Sequence, residues 1–161
     1  MALLPDRERI LGSDHPETLT TRAAIADLTS MVGTAGQALE LYAAVAQDRG
    51  RVLGRNHPAT LQTRVGPATA TAVAGSPRRA LRLLAELVED HVRVLGPEHR
   101  DTLSVRVGVA ALTARRNAEL GRQLFADVLK DQIRVLGLDH PDIQVTGRYI
   151  QKLSAKTRQR R

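Results

Sequence analysis

Four histidines recur along the chain at an almost constant interval, and imidazole is a common metal ligand. His15, His57, His99 and His140 are separated by 42, 42 and 41 residues. Metal ligands must converge on one ion at about 2.0–2.1 Å, whereas equivalent residues of a repeat protein lie about one helix pair apart. No two histidines have the i, i+4 spacing of a helical metal motif. We therefore predict no metal site, and we interpret each imidazole as a cap for the free N–H groups at a helix start.

Three arginines form a second ladder, and their guanidinium groups are well shaped to bind a carboxylate or phosphate of a partner. Arg22, Arg64 and Arg106 are separated by 42 and 42 residues. The alternative is an ion pair with an acid on the preceding turn of the same helix, such as Glu17 or Asp101. Such pairs are common along helices, so we favour the structural role and keep partner binding as the second hypothesis.

The sequence contains no arrangement of residues that is typical of catalysis. It has no cysteine, which excludes thiolate zinc sites, cysteine nucleophiles and disulfide scaffolds. It also lacks a nucleophile elbow, a phosphate-binding loop and an HExxH motif. We therefore predict that the protein is not an enzyme and binds no cofactor.

The positive charge of the chain is concentrated at one end. The formal net charge is +7, and Lys152–Arg161 contains five basic residues and no acidic one, which leaves 19 basic and 17 acidic residues elsewhere. The aromatic residues are Tyr42, Phe125 and Tyr149, too few for a platform on which successive bases stack. We therefore do not expect nucleic acid as the main partner. A nucleic-acid-associated protein that acts through its basic tail and Arg-rich surface is the alternative function.

The sequence shows neither a membrane span nor a secretion signal. No apolar stretch approaches about 18 residues, and the first residues become charged at Asp6, before any apolar segment of a signal peptide. We expect a cytoplasmic protein that has no membrane partner.

A similar block of residues occurs four times, beginning at Arg9, Arg51, Arg93 and Arg134. Each block has a leucine–glycine pair, with one of the four histidines three residues after the glycine. Between the blocks, apolar residues recur at helical spacing, and no period-2 alternation is long enough for a strand. A fixed period of this length is the signature of a repeat architecture. The predicted fold is all-α, an α-solenoid of stacked antiparallel helix pairs.

Glycine just after a helix and proline in its first turn indicate the helix boundaries. The predicted helices are 5–11, 16–31, 36–53, 58–74, 77–95, 99–114, 117–136 and 140–156. They form a single predicted domain, 1–156, followed by a basic tail, 157–161. The domain is divided into a partial repeat 1–12, repeats 13–54, 55–96 and 97–137, and a terminal helix 140–156. Two hypotheses account for the incomplete repeats at the ends: a fragment of a longer repeat protein, or a homo-oligomer that pairs through these ends.

One dipeptide conflicts with this helix assignment. Gly66 and Pro67 lie in the middle of the predicted helix 58–74. An interior proline removes a backbone hydrogen bond and clashes with the preceding turn, at a cost of about 3 kcal/mol. The sequence therefore predicts a kink or break between Arg64 and Ala68.

The repeated motifs, L-G-x-x-H-P between helix pairs and x-T-L-x-x-R in the first helix of each pair, resemble tetratricopeptide repeats of the kinesin-light-chain type. The ordinary tetratricopeptide repeat has about 34 residues, and the unit here is longer. The resemblance implies a right-handed superhelix in which the second helix of each pair closes the repeat through a small, a large and a further apolar residue. These positions hold Ala38, Tyr42 and Val45, then Ala80, Leu84 and Leu87, then Gly121, Phe125 and Val128.

The same resemblance implies a non-enzymatic interaction module or scaffold, with a regulatory role, that binds a protein or peptide on its concave face. The residues assigned to this groove are Thr20, Ala23, Asp27, Gln62, Val65, Thr69, Ser104, Val107 and Ala111, with Arg22, Arg64 and Arg106 at its rim or at the seam between repeats. The asparagines with which the family holds a peptide backbone are replaced by Ala23-Ala24, Val65-Gly66 and Val107-Gly108. Contacts in this groove are therefore expected to depend on shape more than on hydrogen bonds.

Overall fold

The structure is a computed structural model, and it describes residues 3–32 and 35–158, with side chains described as far as residue 155. This part of the chain contains eight helices and no strand. The helices are α1 (Leu3–Leu11), α2 (Pro16–Met31), α3 (Ala35–Val52), α4 (Pro58–Val73), α5 (Pro77–Leu95), α6 (Arg100–Ala114), α7 (Ala118–Leu136) and α8 (Pro141–Arg158). The prediction of an all-α fold is confirmed, and the helix boundaries agree with the predicted ones within two residues.

The chain divides into two compact units, Met1–Ala80 and Leu81–Arg161. In the first unit, each of α1 to α3 packs against the next helix, and α2 also contacts α4. In the second unit, α7 packs against both α6 and α8, and α6 contacts α8. A single domain over 1–156 stays a prediction. Of the predicted tail, residues 157 and 158 belong to α8, and residues 159–161 lie outside the described residues.

The repeated histidines lie where the helices begin, and their interpretation as caps is confirmed. His15, His57 and His99 have extended backbone conformations, and each is the N-cap of the helix that follows. Nδ1 of each of these imidazoles, and of His140, accepts a hydrogen bond from the backbone N–H two residues further on, at 3.1–3.2 Å. The glycine before each histidine has a φ between 80 and 92°, a conformation that glycine adopts without strain.

The second helices of the pairs are buried at the positions that the repeat pattern indicates. Tyr42 is 4% exposed and the other large residues at these positions are 2% exposed or less. Glycine takes the small position in α7, where a Cβ on Gly121 would lie 2.4 Å from Cβ of Ala114. This close approach of α6 and α7 explains why the smallest residue is found there.

The predicted break at Pro67 is absent, because α4 runs without interruption from Pro58 to Val73. The residue before the proline is Gly66, which has no Cβ to clash with the pyrrolidine ring. The prediction of a break was wrong because it considered the proline without its neighbours, and the alternative of a kink stays a prediction.

Candidate functional site

A cleft of about 190 Å³ lies in the first unit, between the side chains of α2, α3 and α4. Five of the six residues assigned to the concave groove in α2 and α4 line it: Ala23, Asp27, Gln62, Val65 and Thr69. Tyr42, Arg49, Thr63 and Gly66 complete the lining. The sixth residue, Thr20, accepts a hydrogen bond from Nη2 of Arg49 at 3.0 Å. The structure therefore brings these six residues together around one cleft.

Tyr42 and Gly66 shape one wall of the cleft. The Tyr42 hydroxyl donates a hydrogen bond of 2.6 Å to Oδ1 of Asp27. A Cβ on Gly66 would lie 2.2 Å from Cε1 of the Tyr42 ring, so only glycine leaves room for the ring. Burial, and next the hydrogen bond to Asp27, raise the pKa of Tyr42 well above its usual value. The phenol is therefore a neutral donor that fixes the Asp27 carboxylate in the cleft.

Arg49 lies at the base of the cleft and is 8% exposed. Its Nη1 donates to the carbonyl of Ala59 at 3.1 Å and to Oγ1 of Thr63 at 2.5 Å. With the bond to Thr20, all three hydrogen bonds reach uncharged oxygens. Desolvation by burial lowers the pKa of Arg49 from its usual value. The guanidinium thus holds the end of α3 to both α2 and α4 without an ion pair.

Sequence reasoning missed Arg49, although a signal for it was present. Arg7 lies one repeat earlier, and its Nη1 donates to Oγ1 of Thr21 at 2.7 Å and to the carbonyl of Glu17 at 3.1 Å. The arginine and its threonine acceptor therefore recur together at the interval of 42 residues. We call this arrangement of a second-helix arginine with a threonine of the next helix the arginine–threonine clasp.

In the second unit, the three assigned groove residues lie at i, i+3 and i+7 of α6, and so on one stripe. Ser104 is exposed, and Val107 and Ala111 are partly buried. The three side chains are small and weakly polar, as the sequence indicated.

Arg22 and Arg106 of the arginine ladder form ion pairs, but the acids predicted for them were wrong. Nη1 of Arg22 lies 2.7 Å from Oδ2 of Asp48, and Nη1 of Arg106 lies 2.7 Å from Oδ2 of Asp131. Both acids belong to the second helix of the pair, not to the preceding turn of the same helix, where Glu17 and Asp101 were expected. Glu17 and Asp101 each lie five residues before their arginine, a spacing that does not make close neighbours on a helix, and a contact between two helices could not be read from spacing at all.

The arginines also point away from the groove stripe. At 100° per residue, Arg106 lies about 130° around α6 from the centre of the stripe formed by Ser104, Val107 and Ala111. Arg106 and Val109 instead line a hollow of about 310 Å³ with residues of α5 and α7. Arg22 and Arg64 occupy the same register in α2 and α4. Of the two places considered for this ladder, the groove rim and the seam, the contacts of Arg22 and Arg106 support the seam with the second helices.

Each of these acids joins a small ion-pair network that recurs in both units. In the first unit, Asp48 also contacts Arg51 at 3.3 Å, and Arg51 binds Asp14 at 2.6 Å. In the second unit, Asp131 contacts Arg134, which pairs with Glu98. Hydrogen bonds from Arg106 and Arg134 lower the pKa of Asp131, and those from Arg51 lower the pKa of Asp14. The networks connect the end of each second helix to the turn before the preceding first helix.

Among residues 3–32 and 35–158, no group of three or more His, Cys, Asp or Glu side chains is arranged to hold a metal ion. In the same part of the chain, none of the helices combines the length and the apolar character needed to span a bilayer.

Comparison with known proteins identifies the repeat. Residues 18–59, 68–101 and 109–142 match the family model described as tetratricopeptide repeat. The chain belongs to the tetratricopeptide repeat family. The expected resemblance to the kinesin-light-chain type is also confirmed, because solved structures of that type share the fold of this tetratricopeptide repeat protein.

Two such structures are of a Podosopora anserina putative kinesin light chain with nearly identical TPR-like repeats. The first is 23% identical, has a TM-score of 0.73, and matches 86% of this chain and 66% of its own length. The second, of a substituted form of that protein, is 23% identical with a TM-score of 0.68, and matches 98% of this chain and 74% of its own. No curated protein matches the chain. At this identity the structures establish the fold alone. Tetratricopeptide repeats in general mediate protein–protein interaction, and their fold is a non-enzymatic scaffold.

Proposed function

We propose that this tetratricopeptide repeat protein is a non-enzymatic interaction module that binds a protein or peptide segment along the groove stripes of α2, α4 and α6. The observation that supports the proposal is the cleft of the first unit. Five groove residues from two helices line a single space of about 190 Å³. Binding sites in proteins are typically concave, with a few polar groups that orient the ligand.

The lining of the cleft indicates how a segment would be held. Val65 and Ala23 provide apolar surface, and Gln62 provides the only amide of the nine stripe residues. Asp27 and Tyr42 are already joined by their hydrogen bond, so they form a rigid polar wall. The groove stripes hold one amide, whereas related repeats have several asparagines. Shape complementarity therefore supplies most of the affinity for a bound segment. Binding of this kind is sufficient for a regulatory or scaffold role.

The test compares two double variants of the full chain as baits in the native lysate. Val65→Glu with Val107→Glu introduces two charges into the groove stripes. Val52→Glu with Val135→Glu makes the same changes on the second helices α3 and α7, at residues that are 38% and 39% exposed. Bound proteins are quantified by mass spectrometry, and circular dichroism confirms that both variants are folded.

We expect specific partners to be lost from the groove variant and retained by the control variant. Partners that bind both variants as tightly as the wild type would contradict binding through the groove. Partners lost equally from both variants would indicate a general effect of negative charge, which also contradicts the proposal.

The homo-oligomer that pairs through the chain ends is a separate proposal, and α8 offers little support for it. Leu103 and Ala110 of α6 are completely buried. The residues at the same positions of α8, 41 residues later, are Gln144 and Gln151, and both are exposed. This face of α8 is therefore polar where the preceding first helix buries apolar side chains. Light scattering of the wild type measures the mass directly, and a mass near that of a monomer at high concentration would exclude such a pairing.

A further inference from the structure

The charge of the chain is more unevenly distributed than the last ten residues alone indicate. After Asp142, the sequence contains no acidic residue. The basic residues in this stretch are Arg148, Lys152, Lys156, Arg158, Arg160 and Arg161. Their six positive charges account for nearly all of the formal net charge of +7. One of the three aromatic residues of the chain, Tyr149, lies among them.

The exposed face of α8 differs from the equivalent stripe of the preceding first helices. In α6 the corresponding four residues are Ser104, Val107, Gly108 and Ala111. In α8 they are Val145, Arg148, Tyr149 and Lys152, which line a shallow hollow of about 180 Å³. A small, neutral stripe is thus replaced by two cations and an aromatic ring.

The ring of Tyr149 is held in a fixed plane. It stacks on the ring of Phe125 with the centroids 5.0 Å apart and the planes inclined by 8°. Phe125 is completely buried, whereas Tyr149 is 42% exposed. One face of the tyrosine ring therefore rests on the core, and the opposite face is open to solvent.

The charges beside this ring are available to a ligand. Among the residues that the structure describes, no ion pair includes Arg148 or Lys152, and the acid of α8, Asp142, pairs with Arg100 at 3.1 Å. The face thus combines two cations with a flat aromatic surface.

We propose that the exposed face of α8 binds single-stranded nucleic acid, with one base stacked on Tyr149 and the flanking phosphates bound by Arg148 and Lys152. A stacking surface of this kind accepts any unpaired base, and basic side chains along the same path neutralise the backbone. In a duplex the bases already stack on one another, so the ring favours a single strand. An acidic peptide would satisfy the cations but would leave the open face of the ring without a function.

Binding of nucleic acid by α8 goes beyond the proposed binding of a protein segment. It also refines the expectation, drawn from the low aromatic content, that nucleic acid is not the main partner. Three aromatic residues cannot form a platform for successive bases, but one oriented ring is enough for one nucleotide. The site consists of α8 residues with Phe125 of α7 behind the ring, so it is independent of the cleft in the first unit.

The test measures the fluorescence anisotropy of a labelled, unstructured single-stranded oligonucleotide of about 12 nucleotides with the full chain. Tyr149→Ala removes the stacking surface, and we expect affinity to fall by about 5- to 150-fold. Tyr149→Phe keeps the ring and should bind within about twofold of the wild type. Arg148→Ser with Lys152→Ser should lower the slope of log K against log salt by about 1.4, or about 0.7 for each lost phosphate contact.

The matched control is Arg115→Ser with Arg116→Ser, which removes the same charge from exposed residues of the α6–α7 loop. It should retain both the affinity and the salt dependence of the wild type. Equal loss in the two double variants would overturn the proposal in favour of diffuse attraction by net charge. Wild-type affinity in Tyr149→Ala, no binding of the oligonucleotide by the wild type, or tighter binding of duplex DNA or polyglutamate would also overturn it.

Discussion

Gly66 and Gly108 occupy the same position in successive repeats, yet the structure predicts opposite effects when each is replaced by alanine. A Cβ on Gly66 would lie 2.2 Å from the Tyr42 ring, whereas a Cβ on Gly108 would lie 3.3 Å from Cδ1 of Leu84. The first distance requires the ring to move, and the second requires a shift of only a few tenths of an ångström. The two substitutions therefore separate helix propensity from packing at matched sites.

The expected changes in the free energy of unfolding follow from the different room beside the two glycines. Replacing glycine by alanine inside a helix stabilises it by about 0.5–1 kcal/mol. In Gly108→Ala this gain should dominate, so the free energy of unfolding should rise by about 0.5 kcal/mol. In Gly66→Ala, overpacking costs about 1–3 kcal/mol, and the hydrogen bond between Tyr42 and Asp27 is strained as well. We expect Gly66→Ala to be destabilised by about 1–2 kcal/mol net.

The assay is urea denaturation followed by circular dichroism, with a rescue variant. Tyr42→Leu in the Gly66→Ala background gives this repeat the leucine that packs beside Gly108 in the next one. It should recover most of the lost stability, because the flexible leucine can shift away from the new methyl group. A Gly66→Ala variant as stable as the wild type, or a rescue variant no better than Gly66→Ala, would refute this packing argument. The second result would instead locate the cost at the contact between the new Cβ and the Pro67 ring.

Two further predictions concern the buried and paired charges. Arg49→Lys should lower the free energy of unfolding by about 1–3 kcal/mol in urea denaturation, because one ammonium group cannot reach Thr20, Ala59 and Thr63 together. The same change at exposed Arg55 should alter it by less than about 0.5 kcal/mol. Equal effects of the two substitutions would contradict the arginine–threonine clasp. Because the pKa of Asp131 is lowered in the folded state, its contribution to stability is present above its unfolded pKa of about 3.9 and is lost as the pH falls through the folded pKa. Thermal melting between about pH 2 and 7 should therefore show a smaller loss of stability on acidification in Asp131→Asn than in the wild type, and parallel curves would disprove this assignment.

The helices were predictable because their boundaries depend on residues close in sequence. The glycine, histidine and proline around Gly54 and His57 end one helix and begin the next, and each does so through bonds to residues at most four positions away. The buried positions of the second helices followed from their spacing for the same reason. Because the same local signals occur four times, the helix boundaries could be assigned with little ambiguity.

The contacts between helices were not predictable in the same way. The acid that pairs with Arg22 is 26 residues away on another helix, and nothing in the spacing of the sequence indicates that contact. The cleft depends on Tyr42 and Gly66 fitting each other, and the missing Cβ of Gly66 also removes a clash with the Pro67 ring. Arg49 was overlooked because its role requires a buried guanidinium, and charged residues are rarely expected in the interior.

The arginine–threonine clasp has a consequence for building new arrays from these repeats. The partners Arg7 and Thr21, and likewise Arg49 and Thr63, belong to different repeats, so a cut in the intervening loop separates them. Later in the chain, the same two registers hold His91 with Val105, and Gln132 with Thr146. Exchanging whole repeats would therefore place a guanidinium opposite a valine at some junctions. Chimeras should instead be joined within the first helices, beyond the threonine, so that each junction is transplanted intact.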